Sequence, residues 1–420
     1  MRRFWALLIL LFVAGGIVWS FLRTEKKNPD SPWNLAGKPP HLVAHYMPWF
    51  QVQKSATNSE LTWFHWKWES AGPIRDPTRI LNNGLRNISS VIYPLIGPYN
   101  SWSERVVRYH LQTAKAAGIQ AFLVDWYGPD SYENQQIPLL LKEARKLGMK
   151  IAICYEEKIN YEKFRELKDP QDVEQHIIAD LTYILKEYGH HPAYLKRNGI
   201  PFVFQFNRWD VGAPLKNTSP AKWEKIFQKL PGPIVYGRQN FDGAFHPPMQ
   251  AAYLWWTPEA HVIDSFQTTA EEARKKGKLL FYMSMVSPGF DDTGVWGWGQ
   301  GVRKTERFGL SVLRDTFDRA WAQHPELIQV VTWNDFEEGT AVEPSYENGF
   351  WYLDALETWW GKKTGRPVDL DDNREPFVDY LHHASRLEIS MLPILGMIKR
   401  PLMVERTNVL ESLHQDAPSP

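Results

Sequence analysis

Cysteine is close to absent: Cys154 is the one thiol in 420 residues. That excludes an intrachain disulfide framework and any cysteine-based zinc site. Its setting, the apolar run KIAICYEE, is that of a buried structural thiol and not of a nucleophile. Net charge is absent as well, with 48 Lys and Arg against 48 Asp and Glu, so charge points to no nucleic-acid partner. No Gly-rich phosphate fingerprint follows the first apolar run, and no sequence repeat is visible. Neither a metal nor a cofactor is expected.

What the chain has in excess is aromatic side chains: 20 Trp, 17 Tyr and 21 Phe. A large core absorbs most of them; the remainder suits a cleft that stacks flat, weakly polar ligands such as sugar rings. The N-terminus reads MRRFWALLILLFVAGGIVWSFLRTEKK, apolar or small from Phe4 to Leu22 between basic flanks. That stretch approaches the roughly 20 residues a membrane span needs and exceeds the roughly 7–15 of a signal-peptide apolar region. An uncleaved membrane anchor with an exported body is expected, with a cleaved signal peptide as the alternative. Residues 1–27 then form the anchor or signal, 28–40 a linker, 41–362 a catalytic domain and 363–420 a C-terminal extension.

From residue 41, eight nearly continuous apolar runs alternate with segments of helical period. The runs are 41–47, 119–127, 150–156, 201–207, 233–237, 251–256, 278–285 and 327–333. Continuous apolar character is expected of parallel strands buried on both faces. Eight strands alternating with helices predict an α/β fold, a (β/α)8 TIM barrel with inserted loops, with a doubly wound open sheet as the alternative. The aromatic stretch LTWFHWKWES (61–70) is either a loop over the cleft or a packed insertion.

In such a barrel the active site lies at the C-terminal ends of the strands. Polar and aromatic residues gather at those exits: His45 and Tyr46, Asp125 and Trp126, Glu156, Asn207, and Asp292 beyond strand seven. Strand eight runs into VVTWNDFEEGTAVEPS, which offers Trp333, Asn334, Asp335, Glu337, Glu338 and Glu343. Carboxylates with Trp and Tyr suit a neutral polyhydroxylated ligand, an oligosaccharide or polysaccharide. Hydrolysis of a glycosidic bond needs two carboxyl groups, roughly 5–5.5 Å apart for retention or about 6.5–9.5 Å for inversion. Asp335 and Glu338 are the candidate pair, with Glu337 pointing elsewhere and Glu343 as scaffold.

The block WNDFEEGTAVEPS resembles the signature of glycoside hydrolase family 99, the endo-α-mannosidase family, and SPGFDDTGVWGWG resembles that family's strand-seven segment. The resemblance spans roughly residues 41–360. It implies a (β/α)8 fold and cleavage of internal α-mannosidic linkages with retention, without metal, through a 1,2-anhydro sugar. By position, Asp335 would take the proton of the substrate's own 2-hydroxyl and Glu338 would be the acid/base. Glu156 would contact the sugar, with His45, Tyr46, Trp126 and Tyr282 lining the cleft. The family has Glu where this chain has Asp335, and the resulting WNDxxE is similar to the pattern of family 71, the α-1,3-glucanases. A non-hydrolytic carbohydrate-binding or surface-polysaccharide assembly protein on the same fold is the alternative function.

Overall fold

A computed structural model of the chain describes residues 32–54, 60–156, 170–206, 220–239 and 250–392. All eight apolar runs form parallel strands: β1 (His41–Tyr46), β2 (Ala121–Trp126), β3 (Lys150–Glu156), β4 (Ile200–Phe206), β5 (Val235–Gln239), β6 (Ala251–Tyr253), β7 (Phe281–Val286) and β8 (Leu327–Val330). Each pairs with the next in sequence. β8 returns to β1 in the register His41↔Leu327 to Ala44↔Val330, so the sheet closes on itself. The fold is a TIM barrel, and the open-sheet alternative falls with that closure. β8 is shorter than its apolar run because the chain turns out of the ladder: Thr332 N donates to Thr340 O, and Trp333 N to the carbonyl of His45.

Helices α1 (Glu104–Ala116), α2 (Ile137–Leu147), α3 (Pro170–Tyr183) and α4 (Pro220–Gln228) follow β1 to β4. α5 (Ala260–Lys275), α6 (Ser311–Ala322) and α7 (Trp351–Thr364) follow β6, β7 and β8, and the β5–β6 connection runs through residues outside those described. α2 shows why these segments stop where they do: Gly148 adopts φ 72 at its end, a left-handed turn that glycine reaches without steric cost.

Successive strand residues face opposite sides. Val43, Leu123, Cys154, Phe204 and Met283 fill the barrel interior. Tyr46, Phe122, Trp126, Tyr155 and Val330 pack outward with helix residues such as Val107, Leu140 and Leu313. The N-terminal end of the barrel is plugged by Trp33. Its ring meets Phe202 and Phe281 edge-on at 5.6 and 4.9 Å, and its Nε1 donates to Glu326 at 2.9 Å. Of the stretch 1–27, which holds the expected span, nothing lies within the described residues. No helix of the described residues is long and apolar enough to cross a membrane.

LTWFHWKWES is packed through Trp63 and Trp66, while its His65 reaches the loop after β8 at Glu337. Leu61–Phe64 pairs antiparallel with Gln51–Lys54, and Trp66 is fully buried, stacked on Phe50 at 4.2 Å and donating to Tyr99 O. Beyond α7, helix α8 (Glu375–His383) lies against α1, with the Tyr109 and Tyr380 rings 5.6 Å apart. Ser103 occupies the N-cap position of α1 without capping it. Its hydroxyl donates to Glu388 instead, at 3.1 Å, and Arg105 makes a two-pronged contact with the same carboxylate at 2.6 and 3.0 Å. Glu388 thus fastens the C-terminal segment to the barrel. Glu388→Ala is expected to remove charge-assisted bonds worth about 1–2 kcal/mol together. Limited proteolysis should then cut C-terminal to α8 faster than in the unsubstituted chain, with the barrel core left intact.

Candidate active site

Three of the four carboxylates after β8 share one tight loop. Thr332 and Thr340 meet hydroxyl to hydroxyl at 2.9 Å, and Thr332 Oγ1 accepts the Asp335 amide at 2.8 Å. Thr340 N returns to Asp335 O, which closes the turn. Asp335 Oδ1 accepts the amide of Glu338 at 2.8 Å, so the i,i+3 spacing is fixed by a hydrogen bond. Gly339 follows with φ +60; a Cβ there would lie 2.6 Å from Asp291 O. Only glycine allows that approach.

Each carboxylate has its own surroundings. Asp335 is 2% exposed. Burial pushes its carboxyl well above the usual range, and the neighbouring charges of Glu338, Glu337 and Asp125 push the same way, against the stabilising Glu338 amide. Glu338 is more open; its Oε1 accepts Trp298 Nε1 at 3.1 Å and lies 3.6 Å from Arg303 Nη2. Glu337 turns away, as expected, but into the protein: it is buried against His65 Nδ1 at 2.7 Å. Burial raises its carboxyl, and His65 opposes the rise. Glu343 lies behind the barrel wall. Tyr99 donates to it at 2.9 Å, and His110 Nε2 stands 3.3 Å away, off the hydrogen-bonding direction.

Three more of the expected residues meet at the inner rim. His45 Nε2 lies 3.7 Å from Asp125 Oδ1, and Tyr127 donates to Asp125 Oδ2 at 2.8 Å. The His45 ring packs edge-on to Trp255 at 4.7 Å, and Phe206 meets Trp255 at 4.8 Å. Glu156 ends β3 on the inward parity of Cys154, and its charge reaches Tyr127, as does that of Glu133. Buried Glu133, with its carboxyl raised by burial and by Asp125, joins His65, Trp298 and Arg303 as site residues the sequence reading did not name. Periodicity gives no sign of them, since none lies on a barrel strand or an α-helix: Glu133 and Trp298 sit in short 3-10 turns and the other two in loops.

Other expected residues are placed elsewhere. Tyr46, Trp126 and Tyr282 have outward parity and face the helices, not the cleft. Tyr46 hydrogen-bonds His110 on α1 at 3.0 Å, Trp126 donates to Asn134 at 2.8 Å, and Tyr282 donates to Gln323 O at 3.1 Å. Trp333 is buried against Phe122 and His110. Asn334 pins the loop to β1 by accepting Met47 N and donating to Met47 O, both at 2.8 Å. Asp292 has no exposure and grips Arg303 at its backbone N (2.7 Å) and Nε (2.8 Å). Asn207 lies outside the described residues.

Among the described residues, one group of three side chains has metal-ligand types in reach: His45, Asp125 and Cys154, with ligand atoms within 4.8 Å of one another. Burial, then the charges of Asp125 and Glu156, push the Cys154 thiol well up, and its hydrogen bond to Asp125 favours the protonated form. The thiol is therefore held neutral.

The profile of glycosyl hydrolase family 99 matches residues 39–248, half of the chain. The chain is 25% identical over 291 residues to glycoprotein endo-alpha-1,2-mannosidase of Mus musculus, covering 61% of this chain and 57% of that protein. It is 27% identical over 250 residues to a mutanase of Penicillium rubens, covering 56% and 48%. A solved structure of the family 99 endo-alpha-mannosidase of Bacteroides thetaiotaomicron superposes with a TM-score of 0.61 at 21% identity, covering 81% of this chain and all of that one. The chain thus spans about half the length of the curated relatives it matches. It belongs to glycosyl hydrolase family 99.

The burial of Asp335 has a consequence for stability. A carboxyl held above its unfolded value of 3.8 contributes most below that pH, and its contribution is lost as pH rises toward the folded value. Asp335→Asn keeps the acceptor for the Glu338 amide and removes the titration. Its Tm is expected to exceed that of the unsubstituted chain by a margin that widens from about pH 4 to about pH 8.

Proposed function

We propose that the chain is an exported glycoside hydrolase cleaving α-linked mannan or glucan, with Asp335 and Glu338 as the reacting pair. One observation carries the reading: both carboxylates leave a single hydrogen-bonded turn at the C-terminal end of β8, the end at which barrels of this class do their chemistry. Asp335 would act as base, taking the proton of the substrate's 2-hydroxyl or of water; Glu338 would protonate the leaving oxygen. Burial suits this division. A carboxylate whose proton affinity is raised is a stronger base once ionised, and Asp335 is that group. His45, Asp125 and Glu156 offer acceptors and a donor to sugar hydroxyls, while Trp255 offers an apolar face. The mannosidase relatives favour a mannan; the WNDxxE motif and the mutanase relative favour an α-1,3-glucan. The apolar stretch from Phe4 to Leu22 supports an anchor that holds the domain outside the cytoplasm.

The competing reading, a binding or polysaccharide-assembly protein on the same barrel, draws on the Asp335 side chain. One methylene shorter than the family's Glu, it is almost fully buried, with one oxygen bonded to the Glu338 amide. Incubating residues 28–420 with α-mannan and α-1,3-glucan while following the anomeric proton by NMR separates the two. New reducing ends with one initial anomer support hydrolysis and report its stereochemistry; binding without turnover on either glycan supports the competitor. In an active enzyme Glu338→Gln is expected to lower kcat by roughly 10²–10⁴-fold with KM little changed. Asp335→Asn should be at least as damaging, and Asp335→Glu should retain activity if the longer side chain reaches the same substrate oxygen.

A further inference from the structure

Among the described residues, one oxygen of Glu338 is met by a hydrogen-bond donor and a guanidinium, both from the loop after β7. Trp298 Nε1 lies 3.1 Å from Oε1 and Arg303 Nη2 3.6 Å from it. The loop is tied to the β8 turn through its backbone, since Asp291 N donates to Glu338 O at 2.9 Å. Arg303 is braced before any substrate arrives. Asp292 takes its backbone N and its Nε, and the guanidinium lies 4.8 Å over the Phe290 ring. The Trp298 ring stands edge-on to Trp68 at 5.8 Å. Trp296, Gly297 and Trp298 hold φ values of 50, 58 and 55, three left-handed residues in succession. Two of the three are tryptophans, which adopt that backbone only where their surroundings impose it, and such outliers gather at functional sites.

We infer that residues 291–303 are a clamp that holds Glu338 in one rotamer as a carboxylate at the barrel mouth, with Trp298 and Arg303 as positioning residues and Asp292 as the brace of Arg303. The inference rests on the reading of Asp335 and Glu338 as the reacting pair. An indole N–H and a guanidinium aimed at one carboxylate oxygen favour the charged over the neutral form. A Glu side chain otherwise has three torsions to order, and a misplacement of about 1 Å can cost on the order of 10²-fold in rate. The clamp also shapes the proton transfer. Removing either donor is expected to strengthen the hold of Glu338 on its proton.

The test uses Trp298→Phe, which keeps the ring against Trp68 and removes the N–H, together with Arg303→Met and Arg303→Lys. Two readouts are taken: the pH profile of kcat/KM on whichever α-glycan is turned over, and the carboxyl ¹³C titration of protein labelled at Glu Cδ, with Glu338→Gln assigning the signal. Trp298→Phe and Arg303→Met should each move the Glu338 titration up by roughly half a unit to one unit, and Arg303→Lys should recover part of the shift. The limb of the pH profile that Glu338 governs should move up with it: the alkaline limb if Glu338 donates a proton, the acidic limb if it accepts one. An unmoved Glu338 signal in both of the first two variants would overturn the clamp, as would lost activity with neither limb displaced. If no α-glycan is turned over, the hydrolase reading fails by itself, and the carboxyl titration still decides the clamp.

Discussion

Thr332 and Thr340, bonded hydroxyl to hydroxyl, hold the two ends of the loop that carries Asp335 and Glu338. The rest of the mouth is arranged around that closure. Inside it, the Asp335 carboxylate and the Glu338 amide set the spacing of the pair. Outside it, Asn334 ties the loop to β1 through Met47, Asp291 ties it to the loop after β7, and Arg307 caps the carbonyls of Gly339 and Ala341 at 2.9 Å each. Fixing reacting groups by packed and hydrogen-bonded neighbours is what gives a site its geometry before a ligand binds.

Charge at the mouth is one-sided in a way the even composition hides. Asp125, Glu133, Glu156, Asp335 and Glu338 lie around the mouth, several of them buried, with Glu337 turned into the protein behind them. His65 compensates Glu337 and Arg303 stands by Glu338, while burial leaves Asp335 favouring its proton. Differences of this kind let carboxylates of similar intrinsic acidity take different parts in one reaction. Behind the wall, Glu343 and its partners Tyr99 and His110 form a second polar cluster, whose charge helps raise the Tyr99 hydroxyl but whose position is structural.

How much of this was legible depended on the kind of signal. The eight strands could be read because each is a short, unbroken apolar run, and the helices because each has a matching period and stop. Strand parity carried His45, Asp125 and Glu156 to the inner rim. The same period of two shows why Tyr46 and Trp126 are absent from it: each directly follows an inward residue, so it must face the helices. Tyr282, expected through family resemblance, sits between the inward Phe281 and Met283 and follows the same rule. Trp298 and His65 left no such trace. They lie in left-handed backbone, 40 and 272 residues from the carboxylates they meet. Contacts of that separation have no local periodicity, and only the closed barrel brings them into being.

The Trp33 plug divides the barrel into two ends with different duties. Trp33 fills the floor, at the strand ends opposite the carboxylates, where its ring meets Phe202 and Phe281 and its indole N–H meets Glu326. The apolar floor and the acidic mouth are therefore a strand's length apart, about 20 Å, so a substitution that loosens the floor changes stability before it changes the geometry of the carboxylates.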